Sequence, residues 1–307
     1  MSDQDQRPTG WIENPIPWPG GARCAAAFTF DVDVDSMMRL TYGGQAPARA
    51  ATMSWLGYES VAVPRLVRFY RERGIKQTFF FPGYCIDTYP ELVDAVAEDG
   101  NEVGLHGYLH EVSWEQVPEG ELEILERGLE AAERVLGGAP TGWRAPLYAL
   151  SDRSPQMLLE HGFVYDASLM GDDQPYLLRT PAGDLIELPS EWANDDWTHY
   201  AHVPDLEYTM QVRAPQRAEE VYMAEFEAAY RHGGMWIGVF HPSISARLAR
   251  LEVLERMIET MQSRGDVWIA TLGEIAGHVQ SLLGTDGWSP QVVEVERTVE
   301  SGGAEDE

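Results

Sequence analysis

The chain has 307 residues, and its 22 lysines and arginines stand against 50 aspartates and glutamates, a formal charge of −28. That balance argues against nucleic acid and anionic membrane as partners and leaves neutral or cationic small molecules open. Two cysteines, Cys24 and Cys85, form no disulfide framework. No run of about 18 apolar residues exists to span a bilayer, and the first twenty residues hold no apolar signal stretch, so the expectation is a soluble cytoplasmic protein.

Residues 1–22 read as an extended arm that packs through Trp11, Ile12 and Trp18, ahead of a single domain over 23–285 and an acidic, disordered tail over 286–307. The first strand, Cys24 to Phe30, delivers Asp31, Asp33 and Asp35 as it ends. Carboxylates bunched at a strand terminus repel one another unless a cation sits among them. A long connection, Ser36 to Gly57, follows, of a length that suits a lid or a subunit contact. Helix Tyr58–Glu72, strand Lys76–Phe81 and helix Tyr89–Glu98 come next. Strand Glu102–Leu105 then runs into His106 and His110, whose spacing lets both imidazoles point at one ion. An Asp with two His makes a three-ligand site with room for water, the arrangement of catalytic zinc. Neither motif is specific alone, since His-x3-His recurs by chance and Asp-x-Asp also caps helices or lines solvated loops.

Helix Pro118–Leu136 ends at Gly137-Gly138, and a short strand around Gly142-Trp143 ends at Arg144. Helix Ser154–Glu160, strand Phe163–Asp166 and strand Leu185–Pro189 lead to an irregular aromatic stretch, Glu191 to Val212, with Trp192, Asp195, Trp197 and Tyr200. Helix Arg217–Arg231, strand Met235–Phe240 ending at His241, helix Ala246–Ser263, strand Val267–Ala270 and helix Leu272–Leu283 finish the domain. Alternating strands and helices predict a parallel sheet with right-handed crossovers. Asp31, Asp33, His106, His110, Arg144, Asp166 and His241 all fall at or just after strand ends, which favours an α/β barrel with its site on one face over an open doubly wound sheet.

The segments Thr29-Phe30-Asp31-Val32-Asp33, His106-x3-His110, Arg144-Ala145-Pro146, Tyr165-Asp166-Ala167-Ser168 and Phe240-His241-Pro242 resemble, in order and spacing, the motifs of the polysaccharide deacetylase (NodB-homology) family of carbohydrate esterases, over roughly Arg23 to Leu283. The Asp-x-Asp spacing is similar to the branch holding peptidoglycan deacetylases, cyclic imide hydrolases and allantoinases. The resemblance implies a distorted (β/α) barrel with fewer than eight strands, often a homo-oligomer, that hydrolyses a non-peptide carbon–nitrogen bond. It implies Asp33, His106 and His110 as ligands of Zn2+ or another divalent metal and Asp31 as the general base that activates water. Arg144 would hold Asp31, His241 would act as the acid, and the Leu147 N–H would serve the oxyanion. Tyr148, Asp166, Glu191, Trp192 and Asp195 complete the expected substrate wall. The chain departs from the family after Asp166, where Leu169 and Met170 stand in place of a further Asp and a Trp. The group that tunes His241 is therefore open, with Asp172, Asp173 or Asp195 as candidates, and the role of Asp35 is open too.

Three functions follow as expectations. They are removal of N-acetyl groups from a small or short amino sugar, hydrolysis of a cyclic imide or ureide, and metal or glycan binding without catalysis. Retention of both Asp31 and His241 favours an enzyme. The bulky residues of the two long insertions, 36–57 and 172–212, suit either a roofed pocket, as opposed to an open polymer groove, or the packing of an oligomer.

Overall fold

The computed structural model describes residues 11–295. Its strands are β1 (Cys24–Asp31), β2 (Thr78–Phe81), β3 (Glu102–Leu105), β4 (Gly142–Trp143), β5 (Tyr165–Asp166), β6 (Tyr176–Thr180), β7 (Gly183–Glu187), β8 (His202–Val203), β9 (Tyr208–Thr209), β10 (Met235–Phe240), β11 (Val267–Ile269) and β12 (Val292–Glu294). Ten of them form one mixed sheet in the order β10-β1-β2-β3-β4-β5-β7-β6-β12, with β11 beside the first residues of β1. Every pair in it is parallel except the β6–β7 hairpin. The run from β10 through β7 supplies the parallel strands expected of an α/β fold. β11 is the expected strand Val267–Ala270, while β6 and β12, which the sequence reading does not include, bring the sheet to ten strands. At the β10 edge a single bridge, Asp195 to Val239, takes the place of a closing strand.

The central strand β1 is buried on both faces, which is why it reads as an unbroken apolar run. Cys24, Ala26, Phe28 and Phe30 join the larger core under the helices, while Ala25 and Ala27 join a second core with Phe80, Tyr165, Ile186 and Val239. Strand alternation therefore puts Thr29 and Asp31 on the same face as Ala25 and Ala27. Register then levels the strand exits: Phe30 pairs with Phe240, Phe81 with Leu105, and Leu105 with Trp143. The residues that follow, Asp31, His241, His106 and Arg144, share one edge of the sheet for that reason.

The connection 36–57 is not a loop but carries helices Ser36–Tyr42 and Ala50–Leu56. It is fastened to the second insertion at Asp205, whose backbone carbonyl accepts the Tyr42 hydroxyl, whose carboxylate accepts the Thr52 hydroxyl, and whose carboxylate pairs with Arg49 at 3.3 Å. The tail also departs from expectation, because residues 286–295 include the buried Trp288 and β12 paired to β6. An apolar Trp and a Val-Val pair outweigh the flanking acids there; the rest of the expected tail, 296–307, lies outside the described residues, as does 1–10 of the arm. Within the arm Ile16 and Trp18 are buried and the Trp18 indole donates to the Gly233 carbonyl, whereas Trp11 is exposed and stacks on the His232 ring at 4.6 Å. Cys24 and Cys85 are buried, free thiols. No helix of the described residues is long and apolar enough to cross a membrane.

Candidate active site

A cavity of about 140 Å³ opens at the strand exits, lined by Asp31, Asp33, Met37, His106, His110, Ala145, Leu147, Tyr148, Trp192, Asp195, Trp197, Thr198 and His241. Five non-glycine residues among those described have left-handed φ, and four of them, Val34, His110, Leu147 and Tyr148, stand at this site. Strain of that kind persists where the surroundings over-determine it, as at functional centres.

Asp31 is held from behind. Arg144, fully buried, donates from one guanidinium nitrogen to Asp31 Oδ1 at 2.8 Å and to Thr29 Oγ1 at 2.9 Å, and from Nε to the Ala167 carbonyl at 3.1 Å. Burial alone would raise the Asp31 carboxyl; Arg144, helped by His106 and His241, outweighs it and keeps the group below the usual range. Asp31 is thus an ionised carboxylate with one oxygen tied and the other facing His106 at 4.0 Å.

Asp33 is held in no such way. Both of its carboxylate oxygens are buried and accept no hydrogen bond among the described residues. They lie 3.7 Å from His106 Nε2, 3.8 Å from His110 Nε2 and 3.7 Å from His241 Nε2. His106 donates through Nδ1 to the Arg144 carbonyl at 2.7 Å, which leaves its Nε2 lone pair free on the cavity side. Burial lowers both histidines, His110 to about 4, so they are neutral donors at pH 7. A buried carboxylate without donors beside two neutral imidazoles, with candidate ligand atoms all within 4.8 Å of one another, fits a divalent cation.

His241 takes the opposite state. Burial works against its charge, yet the hydrogen bond and charge of Asp196, with Asp195 and Asp33 behind, raise it well above its ordinary value. Its Nδ1 donates to Asp196 Oδ1 at 2.7 Å. Asp196 also accepts the His241 backbone N–H and the Ser245 hydroxyl, so its oxygens are saturated and serve His241 rather than an ion. The partner of His241 is therefore Asp196, not the expected Asp172, Asp173 or Asp195. Asp195 stands 3.8 Å from His241 Nδ1, accepts the Tyr148 hydroxyl at 2.7 Å, and is lifted by burial to about 6. Asp35 binds Arg39 at 2.7 Å and Tyr89 at 2.8 Å, a clamp on the entry to helix Ser36–Tyr42.

Two expected wall residues lie elsewhere. Asp166 is fully buried beneath the site, where it binds the Ser168 hydroxyl and N–H and shares a hydrogen bond with Glu187. Its strand pairs with β7 through Glu187, so the carboxyl meets that neighbour instead of the cavity. Glu191 caps the turn Trp192–Asn194 by accepting the Ala193 N–H, and lines a separate cavity under the N-terminal arm. Leu147 and Trp192, 49% and 61% exposed, form the rim.

Placed at the carboxyl ends of parallel strands, these groups are those of a hydrolase. Known proteins narrow the class. The polysaccharide deacetylase pattern matches residues 49–165. The peptidoglycan deacetylase of Helicobacter pylori is 29% identical over 278 aligned positions, covering 81% of this chain and 94% of that one. A crystal structure described as a polysaccharide deacetylase from Mycobacterium smegmatis is 40% identical with a TM-score of 0.85, covering 91% of this chain and 96% of its own. The PuuE allantoinase shares the fold with a TM-score of 0.78 at 21% identity, covering 91% and 97%. The chain belongs to the polysaccharide deacetylase family and is a hydrolase of carbon–nitrogen bonds other than peptide bonds.

Proposed function

We propose that this protein is a divalent-metal-dependent deacetylase that removes N-acetyl groups from a small or short amino-sugar substrate. The observation that carries the reading is Asp33, a buried carboxylate with no hydrogen-bond donor, facing two neutral imidazoles beside the Arg-held base Asp31. Asp33, His106 and His110 would hold the ion, zinc or a similar one. When bound it supplies a Lewis acid that polarises the amide carbonyl and lowers the pKa of water. Asp31 accepts the proton of the attacking water, and Arg144 keeps it ionised for that purpose. The charged His241, oriented by Asp196, donates a proton to the leaving nitrogen, without which an amine leaves poorly. The Leu147 N–H, on a left-handed turn at the rim, would serve the oxyanion, and Tyr148 with Asp195 would form the polar wall that meets substrate hydroxyls.

A small substrate is supported by the roof. Met37 and Trp197, one from each insertion, line the cavity, Trp55 packs on Trp197 with centroids 6.0 Å apart, and Asp205 fastens the two insertions together. The same small cavity also favours a second reading, hydrolysis of a cyclic imide or ureide ring. We further read the levelled parallel strands as a distorted barrel whose mouth is this site. Acetate release from N-acetylated monosaccharides, short oligomers and longer chitin oligomers, measured beside ring opening of cyclic imides and allantoin, tests the proposal. It expects turnover of the short acetylated sugars, with long oligomers slower. Preference for the long oligomer would open the roof, and turnover confined to the ring compounds would establish the second reading.

A further inference from the structure

Glu59 is a buried carboxyl group at the start of helix Glu59–Arg71, outside every motif named above. Its Oε2 accepts the Val34 N–H at 3.0 Å, and the Ser243 side chain hydrogen-bonds to the same carboxyl. Val34 follows Asp33 directly and has a left-handed φ of 44°, while Ser243 lies two residues past His241. Because no donor touches the Asp33 carboxylate, its direction depends on the backbone that carries it. That backbone is held at three points: the Asp33 carbonyl accepts the Ser36 N–H at 2.9 Å and the Cys85 thiol at 3.1 Å, and the Val34 N–H is bound by Glu59.

We propose that Glu59 is a positioning residue for the metal-ligating Asp33, acting by its reach to the Val34 N–H and joining the Asp33 turn to the His241 turn. The proposal rests on the metal reading given above. Supports of this kind around a ligand are worth about 10- to 100-fold in metal affinity. Two substitutions separate reach from the carboxyl group itself. Glu59→Gln keeps an oxygen at the same distance and replaces the carboxyl by an amide, whereas Glu59→Asp keeps the carboxyl and is one methylene short.

The test is titration of chelator-treated wild type, E59Q and E59D with Zn2+ alone, with the melting temperature of each metal-free protein measured beside it. Positioning predicts that E59D binds zinc about 10- to 100-fold more weakly while E59Q stays within about threefold of wild type. Equal affinity of E59D and wild type overturns the proposal, as does an E59Q as weak as E59D, since a side chain of full reach would then fail to hold the Asp33 turn. If E59D lowers the melting temperature yet leaves zinc affinity unchanged, Glu59 is merely structural and the proposal falls. A wild type that binds no zinc instead removes the metal reading itself, and the proposal with it.

Discussion

Two pairs of buried carboxyl groups occupy the same sheet and are held in opposite ways. Asp166 and Glu187, paired across β5 and β7, hold each other: Ser168 N–H and Oγ bind Asp166, the N–H groups of Ser168 and Leu169 bind Glu187 Oε1, and Glu187 Oε2, with no donor of its own, is left to share a proton with Asp166. Burial, then the neighbouring Asp166, raises Glu187 well above its ordinary value, so it keeps its proton. Asp31 is given a cation instead, Arg144, and Asp33 faces two neutral imidazoles that would hold an ion with it. The difference separates support from chemistry. Ser168 passes the first pair's order on to the active site, since its Oγ accepts the Ala145 N–H at 2.8 Å while Arg144 binds the Ala167 carbonyl.

The comparison breaks hardest at Asp31. Asp31→Asn removes the base while leaving the shape, and deacetylation in the short-sugar assay is expected to fall about 10²- to 10⁴-fold, with circular dichroism showing an intact fold. Loss of less than tenfold would place the base elsewhere. Next comes Arg144→Met, which strands the buried Asp31 carboxylate. Denaturant unfolding should show a loss of about 3–5 kcal/mol, the usual cost of breaking a buried ion pair from one side.

The Asp166 and Glu187 pair gives a smaller, pH-dependent effect. A folded-state pKa raised above the unfolded value of about 4.3 contributes stability that is full below that pH and is lost as pH rises toward the folded value. Glu187→Gln donates to Asp166 as the protonated acid does and does not titrate. The melting temperature of E187Q relative to wild type should therefore climb between pH 5 and pH 8. A difference that stays flat or falls with pH would show that Glu187 is ionised in the folded protein.

Much of this was legible in the sequence because Asp31, Asp33, His106, Arg144 and His241 each sit at a strand exit, where register alone brings them together. The partner of His241 was missed by one residue. Asp195 and Asp196 are adjacent in an irregular stretch with no period to say which side chain turns inward, and helix Asp196–Tyr200 is too short to show one. Its motif alone puts Asp166 on the cavity wall. What sends it inward is Glu187, a carboxyl on a strand whose pairing cannot be read locally. β6 escaped notice although Thr180-Pro181-Ala182-Gly183 marks the hairpin turn, because the apolar run Tyr176–Leu178 is so short.

The central claim is that Asp33 exists to meet a cation. Elemental analysis of metal-supplemented, desalted wild type and Asp33→Asn tests it most directly. The account predicts one divalent ion per wild-type chain and none on D33N at equal helical content. A wild type without stoichiometric metal, or a D33N that carries as much, would contradict it.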